Sequence, residues 1–181
     1  TNGKGSTITA LESLLLQAER RVFSTLSPHV LRFNERLRLN GAELTDEAVC
    51  AAFAAIEQVR QRAPVVPLTY FEFSALAALW CSRHSKVDVV LLEIGLGGRL
   101  DAFNVIDADV AVITSIGLDH EKFLGTTREA IGAEKAGILR SGQRVVLGED
   151  MPESVLARCQ ELNIKPLCAG ADFSIADDSE R

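Results

Sequence analysis

The alternation of apolar and polar residues divides the chain into recurring helix-like and strand-like stretches. Leucines and an isoleucine recur at helical spacing from Thr7 to about Gln17. Val22-Phe23-Ser24 then reads as a short buried strand. Arg36-Leu37-Arg38-Leu39 alternates, and Asn40-Gly41 separates it from Ala42-Glu43-Leu44, which predicts a hairpin with a tight turn. Thr45 is placed to cap a helix from Asp46 to about Arg62, which Pro64 and Pro67 close. A more apolar helix is expected from Thr69 to about His84.

The second half begins with Val87 to Ile94, an almost wholly aliphatic run of the kind found in central parallel strands covered on both faces. A glycine-rich loop, Gly95 to Gly98, follows it. Asp109 to Ser115 predicts another strand, and Thr126 or Thr127 a cap for a helix reaching about Leu139. Arg144 to Leu147 is a strand, Pro152 to Leu162 a helix, and Lys165 to Leu167 a short strand; the tail from Asp177 is polar. Strands alternating with helices predict an α/β fold with a mostly parallel sheet flanked by helices. The hairpin at Asn40 looks like an insertion between two α/β units. No repeat and no internal domain boundary stands out, so residues 1–181 are expected to form one domain.

Composition narrows the function. With 19 basic and 25 acidic residues the net charge is −6, which argues against nucleic acid as a partner and leaves room only for local phosphate contacts. Cys50, Cys81, Cys159 and Cys168 form no C-x-x-C pair, so neither a disulfide scaffold nor a structural zinc site is expected. No apolar run has the length of a membrane span and no signal peptide is visible. These readings suit a cytoplasmic monomer.

The chemistry starts at the first residue. Thr1-Asn2-Gly3-Lys4-Gly5-Ser6-Thr7 runs straight into a helical pattern. Glycines let backbone N–H groups close around an anion, lysine neutralises it, and the helix adds its positive end. This is a phosphate-binding P-loop, although Gly5 separates the lysine from Ser6 where the common Walker pattern has them adjacent. A strand would normally feed such a loop, so the chain reads as a segment that starts inside an active site.

Glu93 ends an aliphatic strand, where ligands bind in open α/β sheets and where an acid can hold Mg²⁺. The plainer alternative is a carboxylate capping the next loop. His120 follows the next strand at the same sheet edge, with Asp119 beside it to orient the ring or to be solvated. Lys135, on a helix with Glu134 and Glu129, reads from its neighbours alone as a solvent-facing ion pair. Arg99 and Asp101 flank the glycine loop, either near a ligand or as a buried ion pair shaping the loop. Tyr70, Phe71 and Phe73 open a helix; core packing and stacking on a flat heterocycle are both open for them, with Phe71 the candidate for stacking.

Taken together, Thr1 to Ser6, Ser27-Pro28-His29, Thr69-Tyr70-Phe71-Glu72, Glu93 through Asp101, Leu118-Asp119-His120 and Glu134-Lys135-Ala136-Gly137 resemble the folylpolyglutamate synthase family of the Mur ligase superfamily. The likeness runs from residue 1 to about Glu149. It implies a Mur ligase central-domain fold without the family's smaller C-terminal domain. The implied activity is ATP-dependent ligation of L-glutamate to dihydropteroate, to folates, or to both, through an acyl phosphate.

The resemblance also implies roles. Thr1, Asn2, Gly3, Lys4, Gly5, Ser6 and Thr7 would hold ATP, with Lys4 on the outer phosphates. Ser27, Glu93 and His120 would be magnesium ligands. Lys135 would be carbamylated and help to hold a second metal ion, so Lys4, His120 and Lys135 would be the catalytic set. Thr69, Tyr70, Phe71, Glu72, Leu100, Asp101 and Ala102 would contact the pterin. Phe103 departs from the family, standing where a threonine is expected, which points to a different pocket wall. Two other readings stay open: a Mur-type amino-acid ligase acting on a cell-wall precursor, and a nucleotide-binding module with no chemistry of its own.

Overall fold

The structure, a computed structural model, describes residues 3–174. The chain divides into two compact units, Lys4–Gly95 and the part from Leu96 onward, with Gly3 grouped into the latter.

In the first unit, helix α1 (Lys4–Gln17) leads to strand β1 (Val22–Thr25), whose four residues are all buried. Strands β2 (Leu37–Leu39) and β3 (Ala42–Glu43) form the hairpin, and Asn40 and Gly41 between them have φ of 51° and 81°. Both central positions of this turn need left-handed backbone, which asparagine and glycine adopt at least cost. Asn40 Oδ1 also accepts from the Val22 amide at 2.9 Å, tying the turn to β1. Helices α2 (Asp46–Arg60) and α3 (Tyr70–His84) pack on each other, each with a threonine cap, Thr45 and Thr69. Strand β4 (Val89–Leu91) pairs parallel to β1, which gives the order β3-β2-β1-β4.

Two polar networks set registers in this unit. The Arg21 amide and guanidinium both donate to Asp88 (2.9 Å from the amide, 2.8 Å from Nη2), aligning the starts of β1 and β4. On α1, Glu12 is only 3% exposed. Its carboxylate accepts from Ser24 Oγ on β1 at 2.7 Å and from Arg38 Nε on β2 at 3.1 Å. A buried acid is tolerated when it is paired and hydrogen-bonded in this way.

The second unit carries strand β5 (Val110–Ile113), a single-turn helix α4 (Glu121–Leu124), helix α5 (Arg128–Ala136), strand β6 (Arg144–Leu147), helix α6 (Glu153–Glu161) and strand β7 (Leu167–Cys168). The strands form a parallel sheet in the order β5-β6-β7. Alternation decides the core: Ala111, Ile113, Val145 and Leu147 point to the buried side, where Ile131, Leu139, Val155 and Cys159 cover them. Both units are thus α/β, with parallel pairing flanked by helices.

Several boundaries differ from the sequence reading. The run Val87–Ile94 yields only three strand residues, at the end of its sheet order, with Val90 exposed. Asp88 is drawn to Arg21 at one end, and at the other the Glu93 amide donates to Thr25 Oγ1 at 3.0 Å instead of to a backbone carbonyl. The first helix starts at Lys4, three residues before the apolar periodicity shows it. The hairpin is an extension of the sheet, since β2 pairs directly with β1. The helix expected to reach Leu139 stops at Ala136, and the last strand falls at Leu167–Cys168. Helix α4 and the 3₁₀ turns at Phe33–Arg36 and Ala102–Val105 had no sequence signal, because four residues are too few for a periodic repeat. Among the described residues no helix is long and apolar enough to cross a membrane.

Candidate active site

In the first unit the amino end of α1 meets the end of β4. Gly3 has φ of 73°, and Lys4 opens the helix, so Lys4, Gly5, Ser6 and Thr7 belong to its first turns. Leading amides of this kind are the donors that make a helix end an anion site. The Glu93 carboxylate lies against this end: a methyl placed on Gly5 would sit 3.7 Å from its Oε1. Glu93 Oε2 accepts from the Ser27 amide at 2.8 Å, and the residue is 6% exposed. Burial pushes its carboxyl above the usual range, although the Ser27 amide and the Lys4 charge favour the anion. The structure therefore brings together Lys4, Gly5, Ser27 and Glu93. Thr1 and Asn2, the start of the expected phosphate loop, lie outside the described residues.

The expected pterin segment opens α3. Thr69 caps the helix, and its amide and hydroxyl both donate to Glu72 Oε2 at 2.7 Å, while the Glu72 amide returns a bond to Thr69 Oγ1. This is a capping box, so both side chains have a structural task. Tyr70 is largely exposed. The Phe71 ring rests on Gly95, where a Cβ would lie 2.5 Å from the ring. Phe73 turns inward and meets Phe53 edge to face.

In the second unit, Asp101 braces the glycine loop, accepting from the Leu96 amide at 3.1 Å and the Phe103 amide at 2.9 Å. The buried Arg99–Asp101 pair considered from sequence is not formed. Arg99 reaches Glu134 at 2.9 Å instead, with more than half of its side chain exposed. Leu100 is exposed and Ala102 half-buried. Phe103, the departure from the family, is 6% exposed.

His120 adopts φ of 53°, and its carbonyl accepts from the Phe123 and Leu124 amides to open α4. A left-handed non-glycine residue is uncommon and marks a backbone held by its surroundings. Its ring lies 3.7 Å from Asp119 and is 55% exposed. Lys135 is half-buried on α5. The two acids suggested as its surface partners have other bonds: Glu134 to Arg99, and Glu129 to the amides of Glu153 and Ser154.

Among the described residues no cluster of three or more His, Cys, Asp or Glu forms. The expected metal ligands would not register as such a cluster, since they comprise one serine, one carboxylate, one imidazole and one lysine. A buried carboxylate beside a helix amino end suits a hard divalent ion bridging to phosphate. Sequence reasoning gave no role to Arg36, whose side chain packs against Phe33 and Tyr70. A lone arginine in a polar hairpin carries no distinguishing pattern.

No family model matches the chain. Curated relatives do. The dihydrofolate synthase/folylpolyglutamate synthase of Escherichia coli (strain K12) is 51% identical over 162 residues, 89% of this chain and 38% of the relative. That of Haemophilus influenzae is 48% identical over 181 residues, 99% of this chain and 40% of the relative. Among solved structures, E. coli FolC in complex with DHPP and ADP superposes with a TM-score of 0.93 at 47% identity, over 98% of this chain and 43% of that one. A bifunctional folylpolyglutamate synthase/dihydrofolate synthase with Mn, AMPPNP and L-glutamate bound gives 0.91 at 46% identity, over 100% of this chain and 46% of that one. The chain spans about two fifths of the length of the curated relatives it matches. Over that span, sequence and fold agree: the chain resembles the dihydrofolate synthase/folylpolyglutamate synthases and shares their Mur ligase fold.

Proposed function

We propose that this chain supplies the ATP-binding part of a ligase that joins L-glutamate to dihydropteroate, to folates, or to both, with residues 1–181 acting as one domain. The observation that carries the reading is the buried Glu93 carboxylate held by the Ser27 amide against Gly5, beside Lys4. An acid placed there opposes phosphate unless a cation stands between them. The activities named for the relatives, and the ADP, AMPPNP, Mn and L-glutamate bound in their structures, support it.

The roles follow. Thr1 to Thr7 bind ATP, and Lys4 neutralises its outer phosphates. Ser27, Glu93, His120 and a carbamylated Lys135 would be the ligands for two magnesium ions. Bound magnesium would offset charge on the transferring phosphoryl group. Thr69 to Glu72 and Leu100 to Ala102 bind the pterin, with Phe71 stacking. The substrate carboxylate attacks the terminal phosphorus of ATP and ADP leaves, giving an acyl phosphate. The glutamate amine then attacks the acyl carbon, phosphate leaves, and the amine gives up a proton. The protein acts as a cytoplasmic monomer on small molecules.

The test is a ligation assay on the full-length protein with ATP, magnesium, L-glutamate and either dihydropteroate or a folate. Equimolar ADP and amide product are expected. Ligation of a muramyl nucleotide in place of any pteroate or folate, or no magnesium-dependent ATP turnover at all, overturns the reading.

A further inference from the structure

Arg36 is a half-buried cation with no acidic partner among the described residues. Its Nε donates to His29 Nδ1 at 2.8 Å, which places the neutral imidazole proton on Nε2. The guanidinium carbon stands 5.5 Å from the Tyr70 ring centroid and 5.9 Å from that of Phe33. Those two rings are perpendicular, with centroids 6.4 Å apart, so the cation occupies the corner between them. The acid next to it in sequence, Glu35, is spent on the amides of Val30, Leu31 and Arg32. No described group accepts from Nη1 or Nη2, which leaves the fork of the guanidinium available. A planar fork beside aromatic faces is suited to a carboxylate, because it bonds both oxygens and the rings exclude water.

Its position links the segment of Ser27, assigned to metal, with one assigned to substrate. The Arg36 carbonyl accepts from the Leu26 amide at 3.1 Å, and the next residue is Ser27, which holds Glu93. Tyr70 lies between Thr69 and Phe71 at the start of α3.

We infer that Arg36, positioned by His29 and Tyr70, anchors a substrate carboxylate that is not activated: the α-carboxylate of the terminal glutamyl group on a folate acceptor. This rests on the ligase reading. The activated carboxylate is the one that meets ATP at Lys4. Dihydropteroate offers a single carboxylate, whereas a glutamylated acceptor brings a spare one that needs a partner. Arg36 is thus a specificity residue for chain extension.

The experiment compares a folate acceptor with its α-carboxamide analogue, using full-length wild type, Arg36→Gln and Arg36→Lys at saturating ATP. Wild type should show a KM for the carboxylate acceptor lower by roughly tenfold to a hundredfold, the range for one charge-assisted hydrogen bond. Arg36→Gln should erase that preference with kcat little changed, and Arg36→Lys should recover part of it. If Arg36→Gln lacks native circular dichroism, His29→Ala decides, with a smaller loss of preference expected. A preference that survives in the variants, a wild type with none, or a wild type that extends dihydropteroate alone overturns the anchor. A wild type that ligates neither dihydropteroate nor folate takes down the ligase reading and the anchor with it.

Discussion

The Ser27 amide donates to Glu93 Oε2 at 2.8 Å, and this one bond holds the acid at the amino end of α1. Glu93→Gln keeps the side chain's shape and removes its charge. In the full-length protein it should lower ligation by about two orders of magnitude or more, the usual effect of losing a charge partner at a transferring group. Burial disfavours the anion, so thermal stability should be unchanged or slightly higher. Near-wild-type turnover would remove Glu93 from the chemistry.

Gly95 is a packing requirement. A Cβ there would meet the Phe71 ring at 2.5 Å. Gly95→Ala should cost about 1–3 kcal/mol by overpacking. Adding Phe71→Leu should recover part of that loss, and urea unfolding of the single and double variants measures it. An undiminished midpoint for Gly95→Ala would mean that the ring is free to move away.

Thr69 and Thr45 cap the two packed helices of the first unit, accepting from the Glu72 and Ala48 amides. Replacing either by alanine should cost about 1 kcal/mol. Only Thr69→Ala should also raise KM for the pterin acceptor. Equal KM effects in the two variants would reduce Thr69 to its capping task.

The Arg21–Asp88 pair gives a signed pH dependence. The Arg21 side chain and amide hold the Asp88 carboxyl down at about 2, against an ordinary value of 3.8. A depressed acid binds fewer protons folded than unfolded, so its contribution is complete above the ordinary value and fades as pH falls towards 2. Asp88→Asn should therefore flatten the acid limb of a plot of Tm against pH in that window and leave neutral behaviour nearly unchanged. An unaltered acid limb would assign that pH dependence to other carboxylates.

What could be read beforehand followed from local rules. Asn40-Gly41 announces its turn, Thr45 and Thr127 announce their caps, and valine and leucine runs announce strands; each signal lies within a few residues of its effect. Glu93 was legible because the end of an aliphatic run is a defined place in an α/β sheet. The remainder depends on partners distant in sequence. Arg99 chooses Glu134 over nearby Asp101, and Glu12 is buried although it sits on a leucine-rich helix with no mark to single it out. The aromatic corner around Arg36 draws on a 3₁₀ turn and a helix separated by the whole of α2.

Glu12 has a reach beyond its own neighbourhood. An α-helix turns about 100° per residue, so a slip of a single position would swing the Lys4 amine and the leading amides well off any polyphosphate. It would also abandon a charged group in the interior, away from Ser24 and Arg38. The aim of the tip proposed to face nucleotide is thus set from the waist of the helix, by its bonds to two strands.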